Sequence, residues 1–458
     1  MSLVIETFHS PQTPWEVFQA IHASSQSCFF LDSPQYAPPD QIYSYIGMDP
    51  ALEIRLDEKA IHIKGELNKK YPAGKLFSVL KKILRKYQAR VRNPYPFFTG
   101  GFVGYFGYEM ADLCDKIKFR AKSAPTLPKL YLGLFRNVIV YDHQKRVYYL
   151  AKNTQGAGNG EQEARKLRAY FGQPVQKKHH FESKKFTAEM TKEKFEKMVC
   201  RAKEYIAAGD IYQANLSQRF SFECRGSSLG LYGKLRAINP SPFSCFLKTG
   251  DFEIVSSSPE RLIRKKGRVC ETRPIAGTCP TRGSSKQFIE WRKKLLQNEK
   301  EKAEHLMLVD LERNDLGRVC HYRSVKVAEF MTLEKYSHVM HIVSKITGKL
   351  KKNRDVLDVI KAMFPGGTIT GCPKIRCMEI IDELEPVRRG IYTGSLGYID
   401  FHGDMDLNIV IRTILLRNGK GHLQVGAGIV YDSDPEREYE ETLHKAEALI
   451  QALREASV

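Results

Sequence analysis

The sequence has 458 residues, of which 42% are hydrophobic and 27% charged, near the averages of folded soluble proteins. This composition excludes a mostly disordered chain, and the length predicts two to three domains. No apolar run approaches the roughly 18 residues of a membrane helix, and the start, MSLVIETFHS, lacks the basic and apolar segments of a secretory signal. The ten Cys are scattered without a CxxC pair, so we expect reduced thiols, no zinc ribbon and a cytoplasmic protein.

The net charge of +20 raises the question of an anionic partner. Lys and Arg are spread along the chain and mixed with Glu, as in EWRKKLLQNEKEKAEHL, whereas nucleic-acid binders concentrate them on one face or tail. The pattern therefore favours a solvated basic surface, which suits a small anionic substrate better than nucleic acid. The pair His179–His180 lies in a basic polar stretch without a third ligand, so we expect no metal there.

Residues 1–170 alternate short strand-like runs, such as LEIRL, AIHIKG and NVIVYD, with turns. The Gly-rich, aromatic segment TGGFVGYFGYE (99–109) is interpreted as a bend between strands. Residues 171–186 are polar and predict a linker between an N-terminal β-rich region and a catalytic domain over 187–458.

The second part mixes helices and strands. Apolar residues at helical spacing over 195–206 end at Gly209, and a long helical stretch is predicted over about 285–318. The runs GSLGYIDF, LNIVIRTILLR and HLQVGAGIVYD follow as strands, and a final helix is predicted from Pro435 to Ala456. The element order favours an α+β fold with antiparallel sheets flanked by helices over a doubly wound parallel fold.

Several catalytic motifs are missing from the sequence. There is no phosphate-binding GxxxxGK[ST], no dinucleotide-binding GxGxxG at a strand–helix turn and no GxSxG elbow. No Cys stands in a glutaminase-type setting, so we expect that the chain does not release its own ammonia from glutamine.

Two clusters of carboxylates are candidates for chemistry. Glu301 and Glu304 share one face of a predicted helix, and Glu438 and Glu441 share one face of the last helix with Lys445. Such faces could converge on Mg²⁺, which prefers oxygen ligands and keeps room for water and an anionic substrate. From spacing alone, a solvated surface is the simpler interpretation.

Glycine-rich turns recur beside polar residues, in PIAGT (274–278), PGGTITG (365–371) and GAGIV (426–430). Backbone N–H groups in such turns can bind carboxylates, and the guanidinium of Arg412 offers a planar fork for another. Ordinary turns and a structural Arg remain the alternatives.

These segments together resemble the chorismate-utilising family, which includes anthranilate, aminodeoxychorismate, isochorismate and salicylate synthases. The resemblance covers the C-terminal 270 or so residues in matching order and spacing, and the N-terminal part more loosely through TGGFVGYFGYE. The motifs that carry it are GDIYQANLSQRF, SSSPERL, TRPIAGT, AEHLMLVDLERNDLGRVC, HVMHIVS, FPGGTITGCPKIRCMEIIDELEPVRRGIYTGSLGY, NIVIRT and GAGIVYDSDPEREYEETLHKA. The fold it implies has two packed antiparallel β-sheets with helices outside.

The resemblance also implies roles for individual residues. Glu304 and Glu441 would hold Mg²⁺ against a chorismate carboxylate, with Glu301 and Glu438 behind them. Glu260 would protonate the departing C4 hydroxyl, assisted by His341. The substrate-binding positions it implies are Gly277, Thr278, Tyr392, Arg412, Gly426, Gly428 and Lys445.

The nucleophile is inferred from Gln213, because water-adding members of the family have a Lys base there and an amide cannot deprotonate water. Ammonia is then the expected nucleophile, supplied by a glutamine amidotransferase subunit. Most motifs resemble enzymes that aminate C4, the aminodeoxychorismate synthases of p-aminobenzoate and folate synthesis. Ala276 opposes this, because the better-known members have a nucleophilic Lys there and PIAGT is typical of anthranilate synthases, which aminate C2. HVMHIVS and QVGAGIV also resemble anthranilate synthases.

The sequence also bears on two further questions, tryptophan regulation and a non-catalytic role. The segment FFLDS (29–33) replaces the LLES that is usual in tryptophan-regulated relatives, which argues against tryptophan feedback. A non-catalytic subunit that keeps the fold is disfavoured, because binding alone would not need both the acid and the metal ligands.

Overall fold

The computed structural model describes most of the chain. The ranges described are 2–33, 42–89, 93–115, 117–120, 127–154, 160–174, 179–280, 297–335 and 339–457, with 290 and 293.

Ten helices of four or more residues lie in these ranges. They are α1 (Pro14–Ser24), α2 (Leu76–Tyr87), α3 (Ala111–Cys114), α4 (Gly160–Arg168), α5 (Lys192–Ala207), α6 (Ser228–Ile238), α7 (Glu299–Val319), α8 (Val356–Met363), α9 (Lys374–Leu384) and α10 (Pro435–Ala456). Several begin at side chains that cap exposed backbone N–H groups: Thr13 and Asp355 form capping boxes, and Asp434 caps α10. None of the helices in the described ranges is long and apolar enough to cross a membrane.

The described strands form two sheets, each of 12 strands. The first contains β1 (Ser2–Phe8), β2 (Cys28–Asp32), β3 (Tyr43–Met48), β9 (Asn137–Asp142), β10 (Val147–Thr154), β11 (Phe181–Ala188), β12 (Gln213–Gly226), β13 (Phe243–Lys248), β14 (Glu253–Ser258), β20 (Gly371–Cys372), β23 (Thr413–Arg417) and β24 (Lys420–Ile429). The second contains β4 (Leu52–Leu56), β5 (Ala60–Gly65), β6 (Lys69–Pro72), β7 (Gly101–Phe106), β8 (Leu130–Phe135), β15 (Arg261–Lys266), β16 (Val269–Thr272), β17 (Ile275–Pro280), β18 (Lys326–Lys335), β19 (Val339–Lys349), β21 (Ser395–Asp400) and β22 (Met405–Asn408).

Both sheets combine strands from the two ends of the sequence. The first runs β1-β10-β9-β3-β2-β13-β14-β23-β24-β12-β11, with β20 on β12. The second runs β17-β19-β16-β15-β22-β21-β7-β8-β4-β5-β6, with β18 on β19. The division at 171–186 stays a prediction, although its last residues form the start of β11, which pairs with β12.

One hydrophobic core lies between the sheets, where Phe29 and Ile254 of the first sheet meet Tyr105, Tyr131 and Leu396 of the second. Helices cover the outer faces: α1, α6 and α10 pack on the first sheet, and α2, α7 and α8 on the second. The predicted α+β fold, with two antiparallel sheets flanked by helices, is confirmed.

The interpretation of TGGFVGYFGYE as a bend was wrong. Gly101–Phe106 is a fully buried strand, β7, paired with β8 and β21 in the middle of the second sheet. A Cβ on Gly104 would lie 1.9 Å from the backbone oxygen of Tyr131. The glycines therefore permit close approach of neighbouring strands rather than a turn.

Candidate active site

The floor of the site is the bare backbone of β24 at Gly426 and Gly428. A Cβ on Gly428 would lie 2.5 Å from Gln213 Nε2 and 3.6 Å from Glu304 Oε1. A Cβ on Gly426 would lie 2.8 Å from the Tyr392 hydroxyl oxygen. Three side chains from distant parts of the sequence therefore converge on a strip of backbone that no other residue type would leave open.

Gln213, the first residue of β12, links this floor to helix α7. Its side-chain Nε2 donates a hydrogen bond to Glu304 Oε1 at 3.0 Å, and the residue is buried. The amide has no basic nitrogen, so it orients the carboxylate but cannot take a proton from a nucleophile.

Lys445 contacts the other glycine of the floor, Gly426. Its Nζ donates to the backbone oxygen of Gly426 at 3.0 Å and lies 2.6 Å from Oε1 of Glu441, one turn earlier on α10. The ammonium and the carboxylate are each about half exposed, so the pair faces open space rather than the core.

Glu260 is a buried carboxyl in the connection from β14 of the first sheet to β15 of the second. Burial raises its pKa to about 7, although Thr368, Lys445 and Arg412 act in the opposite direction. One of its oxygens, Oε1, is buried without a hydrogen-bond partner in the described ranges. A carboxyl in this setting keeps its proton close to neutral pH and can serve as a general acid.

Arg412 approaches Glu260 from a strained turn before β23. Its φ of +49° is in the left-handed region, which non-glycine residues seldom adopt, and its carbonyl accepts a hydrogen bond from Ser257 N at 3.1 Å. Burial lowers the pKa of Arg412, and the negative charge of Glu260 opposes this. A guanidinium remains charged despite such a shift, so the site holds a partly buried cation suited to a carboxylate.

Tyr392 is held from behind by a buried arginine. The Arg389 guanidinium lies 5.6 Å from the Tyr392 ring centre, and it pairs with Glu385 at 2.7 Å. Burial raises the pKa of the Tyr392 hydroxyl, so this group stays protonated and can donate a hydrogen bond toward the floor.

The comparisons with known proteins identify the family. A family model described as "chorismate binding enzyme" matches residues 12–451, nearly the whole chain. The chain belongs to this family.

The most similar proteins divide between two activities. Aminodeoxychorismate synthase component 1 of Bacillus subtilis (strain 168) is 41% identical over 418 residues, covering 90% of this chain and 89% of the relative. Anthranilate synthase component 1 of Acetivibrio thermocellus is 39% identical over 478 residues, covering 99% and 95%. The crystal structure of anthranilate synthase component I from Streptococcus pneumoniae TIGR4 matches with a TM-score of 0.77 and 33% identity, covering 89% of this chain and 92% of that one.

These matches make the chain a chorismate-utilising enzyme. The resemblance drawn from the motifs is thereby confirmed. Identities of 41% and 39% are too close to distinguish the two activities.

The donors expected for Mg²⁺ in this chorismate-binding enzyme come from two helices. Glu301 and Glu304 lie on α7, and Glu438 and Glu441 lie on α10. In the described ranges no three or more His, Cys, Asp or Glu form a preassembled cage. The two helices nevertheless bring both glutamates to β24: Glu304 lies near Gly428, and Glu441 pairs with Lys445, which contacts Gly426. Mg²⁺ commonly uses one or two protein carboxylates together with waters and substrate oxygens. The donor set therefore fits the ion.

His341 is placed by a bulge in the second sheet. Gly277, with a φ of +62°, interrupts the β17–β19 pairing between Ala276 and Thr278, and its carbonyl lies 3.0 Å from His341 Nδ1. Burial lowers the pKa of His341 to about 4, the Gly277 carbonyl opposes this, and the charge of Arg412 adds to it. The imidazole is thus neutral at pH 7, with its proton on Nδ1.

Ala276 and Thr278 lie on either side of the bulge. Ala276 lies in β17 opposite Ile342 and carries only a methyl group. The backbone of Thr278 lies opposite His341, while its side chain is outside the described residues.

One buried polar cluster behind Glu260 was missed in the sequence. Lys374 Nζ bonds Asp315 and donates to the Met363 carbonyl at 3.2 Å. Glu312 is buried beside them; burial and then the charge of Asp315 raise its pKa to about 8, and Glu260 acts in the same direction. DLERND and CPK were recognised as motifs, but nothing in a polar helical stretch signals that these carboxyls are buried.

Proposed function

We propose that this chorismate-utilising enzyme is the component I of an aminodeoxychorismate synthase, which aminates chorismate to 4-amino-4-deoxychorismate. The observation that carries the choice of ammonia is the buried Gln213, whose amide contacts Glu304 where a water-adding enzyme needs a base. Ammonia attacks without prior loss of a proton, so no base is required at this position.

The substrate's two carboxylates have matching cationic and polar partners. Lys445 and the backbone N–H groups around Gly426 and Gly428 would bind the ring carboxylate. Arg412 and the Tyr392 hydroxyl would bind the enolpyruvyl carboxylate. Glu304 and Glu441, supported by Glu301 and Glu438, would hold Mg²⁺, which when bound neutralises carboxylate charge and orients the substrate.

Loss of the C4 hydroxyl requires a proton, and Glu260 is the group that can deliver it. Its carboxyl is protonated below a pH of about 7 and lies beside Arg412, which fixes the substrate end nearby. His341, neutral and oriented by the Gly277 carbonyl, would assist the departing hydroxyl by hydrogen bonding rather than by charge.

Amination at C4 rather than C2 rests on sequence likeness. GDIYQANLSQRF, NPSPFSCFL and DLGRVC resemble C4-aminating enzymes, and the Bacillus subtilis relative carries that name. In FFLDS, the Asp32 carboxylate accepts hydrogen bonds from Tyr232 at 3.2 Å and Arg236 at 2.9 Å, so this segment is committed to internal contacts.

Anthranilate synthase is the second candidate, and Ala276 favours it. In family members with a Lys at this position, the Lys forms a covalent adduct at C2, and ammonia then enters at C4. The methyl group of Ala276 cannot form such an adduct. If C4 amination occurs here, ammonia itself or another nucleophile must add first at C2.

We also propose that a glutamine amidotransferase subunit supplies the ammonia, since the relatives are named as first components of synthases. In its absence, ammonium salts at alkaline pH should support the reaction.

Product identity tests the proposal. Purified protein is incubated with chorismate, Mg²⁺ and ammonium, with and without aminodeoxychorismate lyase. p-Aminobenzoate that appears only with the lyase is the expected result. Fluorescent anthranilate without the lyase would overturn C4 amination and make Ala276 the deciding residue.

A further inference from the structure

Arg389 is a buried arginine in the connection between α9 and β21. Its Nε donates a hydrogen bond to Glu385 at 3.0 Å, and its Nη2 donates to Glu385 at 2.7 Å and to the Asn215 carbonyl at 2.6 Å. Its Nη1 donates to the Ile369 carbonyl at 3.0 Å and to the Thr393 hydroxyl at 3.1 Å. These bonds use all the N–H groups of the guanidinium. Since the side chain is also only 1% exposed, it cannot bind the substrate itself.

Two of these partners belong to segments that form the candidate active site. Asn215 lies opposite Gly428 where β12 pairs with β24, and Thr393 directly follows Tyr392. Arg389 therefore connects the floor of the site with the segment that carries Tyr392.

Three contacts join Arg389 to Tyr392. The Tyr392 N–H donates to the Arg389 carbonyl at 3.1 Å, and the guanidinium lies 5.6 Å from the centre of the tyrosine ring. The Thr393 hydroxyl, which accepts from Arg389, donates in turn to the Tyr392 carbonyl at 2.6 Å. Arg389 thus acts on the ring of Tyr392 and on both of its backbone polar groups.

The backbone next to Tyr392 is strained. Thr393 has a φ of +58°, in the left-handed region that β-branched residues rarely adopt. Such a conformation persists only where the surrounding contacts hold it. The Thr393 N–H donates to the Val410 carbonyl at 2.8 Å, and Arg389 donates to its hydroxyl. Loss of the Arg389 bond would therefore let this turn relax and move Tyr392.

We propose that Arg389 is a positioning residue, which holds the Tyr392 hydroxyl over Gly426 for the enolpyruvyl carboxylate of chorismate. The inference rests on the proposed function, in which Tyr392 and Arg412 bind that carboxylate. The hydroxyl oxygen lies 2.8 Å from where a Cβ on Gly426 would stand, so a small displacement of the ring would move it away from the floor. Arg389 acts on substrate binding only through this hydroxyl.

Calorimetric titration of the full chain with chorismate and Mg²⁺, without ammonium, measures the Kd of chorismate apart from turnover. The variants are Arg389→Lys, Tyr392→Phe and the two together. Arg389→Lys keeps a positive charge beside Glu385 but replaces the planar fork of the guanidinium with a three-donor ammonium.

We expect each single variant to raise Kd at least about tenfold, because a hydrogen bond to a charged group contributes on this scale. The double variant should bind within about twofold of Tyr392→Phe, since the loss of the arginine has no further effect once the hydroxyl is absent. With ammonium added, kcat at saturating chorismate should change less than about threefold, because the bond is made equally in the ground state and the transition state.

Arg55→Lys is the matched control. It makes the same exchange in an ion pair with Asp251 at 2.7 Å, outside the candidate site, and should leave Kd unchanged. Where Arg389→Lys does not fold, Thr393→Ala breaks only the hydroxyl link between Arg389 and Tyr392 and should still raise Kd at least about threefold.

Two results would overturn the proposal. One is an unchanged Kd in folded Arg389→Lys or, in its place, in Thr393→Ala. The other is a double variant whose rise in Kd equals the product of the two single rises, since independent effects multiply. Binding of chorismate that follows the expected pattern, without turnover by the wild type in ammonium, would contradict the proposed function and leave the role of Arg389 supported.

Discussion

At the scale of single residues, the burial of each side chain decides its chemical properties more than its residue type does. Glu260, Glu304 and Glu441 are all glutamates, yet only Glu260 is buried with a pKa near 7. Glu304 is bound by an amide and Glu441 by an ammonium, so both are oriented as carboxylates. This difference supports the proposed division between proton donation by Glu260 and ion binding by the other two glutamates.

Replacement of Glu260 should lower catalytic activity without lowering the stability of the fold. We expect Glu260→Gln to lower kcat at least about a hundredfold, because a general acid contributes on that scale. In the wild type, kcat/KM for chorismate at a constant concentration of free ammonia should fall as pH rises through about 7, where the acid loses its proton.

The same substitution should not cost stability. Between the usual glutamate pKa of 4.5 and the folded value of about 7, the folded protein retains a proton that the unfolded chain has lost, so wild-type stability falls with rising pH across this window. Glu260→Gln should therefore unfold at an equal or higher temperature at pH 8. A loss of both activity and Tm would indicate a structural role instead.

At the scale of elements, β24 connects the two carboxylate-bearing helices through its glycines. We expect Gly428→Ala to displace the Gln213 amide, whose nitrogen would lie 2.5 Å from the new Cβ, and to break its bond to Glu304. Turnover of chorismate should fall at least about tenfold, since misplacement of about 1 Å at a site can cost more than that.

Gly250→Ala is the matched control, because a Cβ at Gly250 meets nothing within 4 Å and its backbone is not left-handed. Steady-state kinetics of both variants would distinguish the cases. Equal activity in the two variants would contradict the role of β24 as the floor of the site.

Helices α7 and α9 are joined by the buried pair of Lys374 and Asp315. Lys374→Met leaves Asp315 and Glu312 without their cation, and we expect a loss of about 3–5 kcal/mol in urea unfolding. Lys302→Met, which removes an exposed pair with Glu299, should cost less than about 1 kcal/mol. Equal losses would show that the buried pair is not structural.

Sequence periodicity predicted elements well where local signals dominate. The helix Pro435–Ala456 was predicted at its observed bounds because a capping Asp, a first-turn Pro and a regular apolar stripe all agree. β7 was wrongly predicted as a bend because its glycines are required by the close approach of neighbouring strands. Those strands are distant in the sequence, so the local pattern carries no information about them. The convergence of Gln213, Glu304 and Tyr392 on β24 likewise depends on tertiary contacts, and only the family motifs pointed to it.

At the scale of the whole molecule, neither half of the chain can complete a sheet. β7 and β8, from the first part, lie between β21 and β4 in the second sheet, and β2 and β13 join the two parts in the first. A fragment of residues 187–458 would expose the unsatisfied edges of β13 and β21.

We therefore expect this fragment alone to aggregate or to unfold without a cooperative transition. Co-expression with residues 1–186 should restore a soluble complex with a single transition by circular dichroism. Cooperative unfolding of the isolated fragment would contradict the account of shared sheets.

Incorporation of labelled nitrogen distinguishes the proposed amination of chorismate from an addition of water. Chorismate is incubated with the protein, Mg²⁺ and ammonium labelled with heavy nitrogen, and the products are examined by mass spectrometry. We expect a product that carries one labelled nitrogen and that the Glu260→Gln variant does not form. Conversion of chorismate to an isomer of unchanged mass, without label, would show that water is the nucleophile and contradict the account.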